Sequence, residues 1–267
     1  MLARVRAMFR TTGEGLFATL FPAECRLCNE PLLAMSRLPV CDACLAKIQS
    51  FNSPVCARCG EILTIGNAQV CTACVNAPPP FIAALSIGAY DGTLRGVIHL
   101  LKYDSVRPAA QMLGREVAKV LAANSSKIGD NPLILPVPLH RAKDRDRGFN
   151  QAEEIANAVK KVTGFAIDRH VLVRKRPTVS QTGMTAHQRR ENVRGAFVLR
   201  KRGVDIVKGR NIVLVDDVMT TGATAAECTR VLLHAGAKQV LVATAARVTR
   251  ATHAVPQMAT QPMAAGA

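Results

Sequence analysis

VLVDDVMTTGAT, residues 213–224, passes from an aliphatic run into a polar turn that contains a glycine. The run begins two residues earlier, at Asn211, and NIVLV reads as a buried strand. After the turn, TAAECTRVLLHAGAK reads as a helix with Gly236 just past its end. A strand that feeds a helix in this way delivers the turn to the carboxyl edge of a sheet, where α/β folds bind ligands. Free N–H groups at a helix start attract an anion, and Gly222 lets the main chain approach it closely. Thr220, Thr221 and Thr224 add hydroxyl donors beside Gly222 and Ala223. Asp216 and Asp217 stand too near each other to want that same anion. They suit hydroxyl donors or a hydrated Mg²⁺. A ligand with sugar hydroxyls beside a monophosphate satisfies both halves. A Walker B strand also ends in acids, but the chain has no G-x-x-x-x-G-K-[ST] to accompany one. A helix cap explains one acid and leaves the other acid and TTGAT unexplained.

The neighbouring sequence alternates in the same manner. GVIHLLKY and AAQMLGREVAKVLAA read as helices; in the second, Ala109, Met112, Leu113, Val117, Val120 and Leu121 recur at helical spacing. LILPVPL, Leu133 to Leu139, is a buried strand. NQAEEIANAVKKVTG is a helix closed by Gly164, VLV near Val171 is another strand, and QVLVATAA is the last. Helices alternating with near-continuous aliphatic strands predict an α/β fold with a parallel sheet covered on both faces.

Upstream of APPPF, Ala77 to Phe81, the composition is different. Eight of the nine cysteines form four C-x-x-C units: Cys25/Cys28, Cys41/Cys44, Cys56/Cys59 and Cys71/Cys74. The units are separated by 12, 11 and 11 residues. One C-x-x-C turn presents two thiolates to a cation, and two turns complete a tetrahedral sulfur site for Zn²⁺. The segment has few large apolar residues, so metal supplies folding energy that its core lacks. Disulfides need an oxidising compartment, and a redox C-x-x-C needs one pair on a strand-to-helix turn rather than four in series. The simplest pairing is sequential, four thiolates on each of two structural ions, with an interleaved pairing left open by spacing. Cys228, inside a predicted helix, reads as a packed core thiol. The expected organisation is a lead-in over 1–21, a cysteine module over 22–77, the α/β domain over 81–249, and a disordered tail over 250–267, rich in Ala, Thr, Met and Pro.

Thirty-five Lys and Arg against 19 Asp and Glu give a net charge of +16, which favours polyanions or phosphorylated ligands. Aromatic content of 4% with no Trp argues against stacking platforms for bases. The opening MLARVRAMFR carries Arg4, Arg6 and Arg10, but TTGEG interrupts any apolar core of a signal peptide. It reads as a short amphipathic lead-in, with a transit peptide as the alternative. No apolar run is long enough to span a bilayer, so a cytoplasmic protein without membrane insertion is expected.

VLVDDVMTTGAT resembles the motif by which type I phosphoribosyltransferases bind 5-phosphoribosyl 1-pyrophosphate (PRPP). PVPLHRAKDRDRGFNQAEEIA, VSQTGMTAHQRRENVRGAF and the four C-x-x-C units resemble the ComF family of competence-associated, GntX-like proteins. The resemblance runs over about residues 16 to 247 and departs at Met184, where the family more often has Leu. It implies a double zinc ribbon followed by a type I phosphoribosyltransferase-like sheet. It further implies that Asp216 and Asp217 bind the ribose 2′- and 3′-hydroxyls, and that Thr220, Thr221, Gly222, Ala223 and Thr224 cradle the 5′-phosphate. Arg147, Gly148 and Phe149 take the place of the pyrophosphate loop, and Gln181 to Arg190 fall in a mobile loop that closes over the site.

The residues themselves agree. HRAKDRDRGFNQ gathers His140, Arg141, Lys143, Arg145 and Arg147 after a strand, and Arg147 precedes a glycine and a helix start, placing it to face a diphosphate. Asp144 and Asp146 partly neutralise the run, which favours a solvated loop for Lys143 and Arg145. Val179 to Asn192 is polar and reads as a lid that brings His187, Arg189 and Arg190 to the diphosphate. Lys102 and Tyr103, ending a helix, serve either the ligand or a helix cap. Asp216, Asp217, Arg147 and Arg189 are therefore the expected catalytic set, with Mg²⁺ accompanying PRPP. Three functions compete: a phosphoribosyltransferase that releases pyrophosphate, a non-catalytic factor handling single-stranded DNA in transformation, and a PRPP-sensing regulator. The competence association also implies a helicase-type protein partner. Asn192 to Lys208 and the zinc module are the expected walls of the acceptor pocket, and nothing in them names the acceptor.

Overall fold

A computed structural model describes residues 23–32, 36–63, 68–140, 148–178 and 184–249. The strands in chain order are β1 (Ala83–Ala89), β2 (Leu133–Pro136), β3 (Ala166–Ile167), β4 (Leu172–Arg174), β5 (Phe197–Leu199), β6 (Asn211–Met219) and β7 (Gln239–Arg247). The longer helices are α1 (Gly92–Tyr103), α2 (Pro108–Ala122), α3 (Gln151–Thr163), α4 (Ala186–Val193) and α5 (Ala223–His234). Five strands form one parallel sheet in the order β1-β7-β6-β2-β3.

Alternation along β6 sorts the core. Ile212 and Leu214 pack in one cluster with Ala225, Cys228 and Leu232 of α5. Val213 and Val215 pack in the other, with Val97 and Ile98 of α1, Leu113 of α2 and Ile155 of α3. Burying each such aliphatic side chain contributes about 1.5–3 kcal/mol, so both faces of the sheet must be covered. The Asn150 side chain accepts from the Ala152 N–H at 3.1 Å and starts α3; its amide nitrogen donates to the Val137 carbonyl at 3.0 Å. Gly164 closes that helix as the sequence predicts. Among the described residues no helix is long and apolar enough to cross a membrane.

Three elements differ from the sequence reading. The strand near Val171 is not a member of the parallel sheet: β4 pairs antiparallel with β5 in a separate two-stranded sheet. Asp168 Oδ1 accepts from the N–H groups of His170 and Val171 and turns the chain into that hairpin-like arrangement. Ala83–Ala89, unassigned in the sequence, is a strand at one end of the main sheet. Within the expected lid, Ala186 onward is helical, with a capping box between Thr185 and Gln188. The lead-in over 1–21, the tail over 250–267, Gln181 and Arg147 lie outside the described residues.

The cysteines gather sequentially. Cys25, Cys28, Cys41 and Cys44 form one cluster and Cys56, Cys59, Cys71 and Cys74 another, the sulfurs of each lying within 4.8 Å of one another. Individual Sγ···Sγ separations are 3.9 Å for Cys25–Cys44, 3.6 Å for Cys28–Cys41 and 3.7 Å for Cys59–Cys71. A tetrahedral ion with Zn–S bonds of about 2.3 Å requires sulfurs about 3.8 Å apart. Both clusters therefore fit Zn²⁺. Burial and the neighbouring thiols push Cys44 up to about 12, whereas at Cys25 the surrounding N–H donors outweigh burial and bring the thiol down to about 6. The two halves repeat each other: the Cys41 N–H donates to Cys25 Sγ at 3.4 Å, and the Cys71 N–H to Cys56 Sγ at 3.3 Å.

This module lies against the α/β domain. A Cβ on Gly88 of β1 would stand 2.3 Å from the Gln49 carbonyl oxygen, and one on Gly96 of α1 would stand 2.6 Å from Leu27 Cδ2. Cys25, Leu38, Val40 and Cys44 belong to the same buried cluster as Ile87 and Leu94. The cysteine module and the α/β domain thus share one core, so metal loss at the clusters should be felt by both. Two zinc ions per chain are expected by atomic absorption. Their removal by a chelator at neutral pH should lower the melting temperature by at least about 5 °C, since each kcal/mol moves a domain of this size by about 2–4 °C. An unchanged melting curve after full metal removal contradicts this coupling.

Candidate functional site

The site is built on the far end of β6, where Asp216 and Asp217 follow four buried aliphatic residues. Strand alternation sends them to opposite faces. Asp216 follows Ile212 and Leu214 toward α5 and the β4–β5 pair, whereas Asp217 follows Val213 and Val215 toward α1. In register with Asp216 stand Thr244 of β7 and Ser86 of β1, whose hydroxyls are 2.7 Å apart. On the other face Lys102, from the last turn of α1, reaches Asp217 with Nζ 3.0 Å from Oδ2. Both side chains are only 16% exposed.

The electrostatics follow from that placement. Burial, then the Asp217 charge, raises the Asp216 carboxyl to about 7, against the lowering influence of the Asp217 N–H, Lys102 and Arg174. The Asp217 N–H donates to Asp216 Oδ1 at 2.9 Å. Burial alone would depress Lys102, but the Asp217 carboxylate outweighs it and holds the ammonium above its usual range. His99 goes the other way, lowered by burial and by the Arg95 and Lys102 charges. Its ring sits 5.1 Å from Tyr103 and 6.3 Å from Tyr90. Lys102 is thus paired with Asp217 from the last turn of α1.

Beyond Met219 the chain turns through Thr220 and Thr221 to Gly222, which adopts φ 77° and begins α5. That left-handed conformation, with Met219 Cε 3.0 Å from where a Cβ would lie, explains the glycine. The first turn of an α-helix leaves N–H groups without intrahelical acceptors, and they open onto the same edge as the two acids. Thr221 Oγ1 accepts from the Ala223 N–H at 3.4 Å. Asp216, Asp217, Lys102 and the Thr220–Thr224 turn are thus brought together by one strand end and the helices that meet it.

The remaining expected residues divide. Gly148 and Phe149 follow β2, the strand beside β6; the Gly148 carbonyl accepts from Arg107 Nη2 at 3.4 Å, and the Arg107 guanidinium lies 4.9 Å from the Phe149 ring centroid. Arg189 is 8% exposed on α4, which packs against α5, and its Nε donates to the Met184 carbonyl at 3.1 Å. Its Nη1 is buried without a hydrogen-bond partner among the described residues. His187 and Arg190 are exposed. Two arginines went unnoticed in the sequence. Arg174, ending β4, lies 5.3 Å from the Phe197 ring centroid and bonds Thr178. Arg247, ending β7, donates to the Thr220 carbonyl at 3.0 Å. A single arginine closing an aliphatic strand was the only signal for either.

With the geometry in view, the chain can be set beside known proteins. Residues 16–75 match the model of a double zinc ribbon domain, and residues 145–259 that of a phosphoribosyl transferase domain. The DNA utilization protein YhgH of Salmonella typhi is 33% identical over 224 residues, which cover 83% of this chain and 95% of the relative. Competence protein F of Haemophilus influenzae is 29% identical over 214 residues, covering 79% and 91%. Competence protein ComFC of Bacillus subtilis is 24% identical over 204 residues, covering 74% and 79%. On its two modules, their order and relatives matched along 79–95% of their length, the chain belongs to the ComF family of proteins, which join a double zinc ribbon to a phosphoribosyltransferase domain.

Proposed function

We propose that the chain binds PRPP at the end of β6 and transfers its phosphoribosyl group to a nitrogen nucleophile, releasing pyrophosphate. The observation that carries this reading is the pair of acids delivered by one strand immediately before a left-handed glycine that opens a helix. Thr220, Thr221, Gly222, Ala223 and Thr224 hold the 5′-phosphate through main-chain N–H groups and hydroxyls. Asp216 and Asp217 accept hydrogen bonds from the ribose 2′- and 3′-hydroxyls. Arg147, Gly148 and Arg189 receive the diphosphate, and the unpartnered Nη1 of buried Arg189 supports its role. Lys102 balances the acids until ligand hydroxyls share them. As the nucleophile forms its bond to ribose C1, the C1–O bond breaks and its electron pair leaves with pyrophosphate, which the arginines stabilise.

Mg²⁺ neutralises the diphosphate when bound with it. The acids are chemically suited to such an ion, but among the described residues only the cysteine clusters assemble three or more metal-binding side chains at one point. Asp216 and Asp217 are the carboxylates of this chain that would share such an ion with the ligand.

A role in DNA uptake is supported by relatives named for DNA utilization and competence, and by the net charge of +16. Those same observations favour a second reading, a non-catalytic factor that retains the pocket and either handles single-stranded DNA or senses PRPP. Pyrophosphate release with amine and nucleobase acceptors distinguishes the two. Turnover supports transfer, while calorimetric PRPP binding with no consumption supports the sensor.

The pocket is tested by binding. Asp216→Ala and Asp217→Ala should each weaken PRPP binding by about 10–100-fold in calorimetry, the value of a hydrogen bond to a charged group. Affinity unchanged in both variants rejects the assignment.

The raised carboxyl of Asp216 gives a pH signature. Its folded value of about 7 lies above the ordinary carboxylate range, so the ionised form is disfavoured in the fold. The cost is absent below about pH 4, where folded and unfolded chains are both protonated, and complete above pH 7. Asp216→Asn should therefore raise the melting temperature of ligand-free protein at pH 8, with the gain shrinking toward pH 4, while weakening PRPP binding. An equal effect at both pH values, or destabilisation at pH 8, contradicts the electrostatic account.

A further inference from the structure

Arg247 connects two parts of the molecule that the function so far treats separately. It is the last residue of β7 and only 5% exposed. Its Nη2 lies 3.2 Å from Glu61 Oε2, with both side chains nearly buried, and its Nη1 donates to the Thr220 carbonyl. The main chain locks its position: the Arg247 carbonyl accepts from the Tyr90 N–H at 2.7 Å, and the Val248 N–H donates to the Met219 carbonyl at 2.9 Å.

Glu61 follows the Cys56–Gly60 knuckle of the second cysteine cluster. The knuckle is fixed to β1 by the Ala84 N–H, which donates to the Arg58 carbonyl at 2.8 Å. Gly60, at φ 70°, allows this approach, since a Cβ there would stand 3.0 Å from the Ala84 carbonyl oxygen. The Cys56 N–H donates to the Glu61 carbonyl at 2.8 Å, so the metal-binding turn and Glu61 are one unit. A peptide unit is planar, with its C=O and N–H on opposite sides. Fixing the Thr220 carbonyl therefore fixes where the Thr221 N–H points. A buried ion pair is a costly way to gain stability, and a specified geometry is its better-attested use.

We propose that Arg247 is a positioning residue through which the second cysteine cluster orders the Thr220–Gly222 turn, so that metal at Cys56, Cys59, Cys71 and Cys74 sets affinity for a 5′-phosphate. The affinity part rests on reading that turn as the phosphate cradle; the ordering part does not. The planar guanidinium fork holds its two partners in a fixed geometry, which the single ammonium of a lysine does not reproduce.

The experiment uses full-length zinc-loaded protein. Arg247→Lys is compared with the volume-preserving double variant Glu61→Leu/Arg247→Met, which leaves no unpaired buried charge. The metal arm is Cys71→Ser, which removes one of the four thiolates of the second cluster and is used at the metal concentration where zinc content falls to one ion per chain. NMR order parameters of the Thr221 and Gly222 amides, zinc content and calorimetric binding of ribose 5-phosphate are measured. We expect Arg247→Lys and the double variant to retain two zinc ions. Their amides, and those of Cys71→Ser, should fall from rigid values near 0.85 to below about 0.6. Ribose 5-phosphate affinity should drop about tenfold in all three, within the usual range of coupling between sites. Amides as rigid in these variants as in the unaltered chain overturn the proposal. If the unaltered chain binds no ribose 5-phosphate, the phosphate reading falls while the order parameters still decide the coupling.

Discussion

Two carboxylates can stand next to each other at the end of β6 because successive side chains leave a strand on opposite faces. That constraint gives each acid its own surroundings. Asp217 meets Lys102 on the α1 side, and Asp216 looks toward Arg174 and α5 on the other. The same strand end fixes the start of α5, so the acids and the anion-attracting turn cannot move independently. Flattening this arrangement into one shared carboxylate cluster would leave two charges with one cation. Even so, burial and then the Asp217 charge lift the Asp216 carboxyl to about 7.

The cysteine module answers a different problem. β1 ends the parallel sheet, and an open edge invites unwanted pairing. The segment between the two clusters lies on that edge at Gly88, the second knuckle bonds it at Ala84, and the first places Leu27 against Gly96 of α1. Metal holds a segment with little apolar content rigid enough to do this. This chain thereby has a covered edge and a buried link, through Glu61 and Arg247, to the turn beside the acids.

The features legible in the sequence are those with a local signature. The aliphatic run of β6, Gly222 and the cysteine spacing each carry their own physical requirement. Gly164 ended its helix for the same reason. Other features required tertiary information. AALSIGA in β1 is built of small residues with weak strand character, and its Gly88 is explained only by the Gln49 carbonyl against it. Three residues near Val171 are too few to reveal whether their partner is parallel or antiparallel. AHQRRENV has apolar residues only at its two ends, Ala186 and Val193, so α4 showed no apolar stripe, although Thr185 followed three residues later by Gln188 was a readable capping box. Arg174 and Arg247 had no periodicity to betray them, because their importance comes from what the fold brings beside them. Arg147 lies outside the described residues, so its place beside the diphosphate rests on the sequence alone.

The most direct test of the central claim is a crystal structure of the zinc-loaded chain with PRPP and Mg²⁺. The account predicts a phosphate seated against the main chain of residues 220–224, with ribose hydroxyls within hydrogen-bonding distance of Asp216 and Asp217. Density for the ligand at another surface, with that turn empty in a protein that binds PRPP in solution, would contradict it.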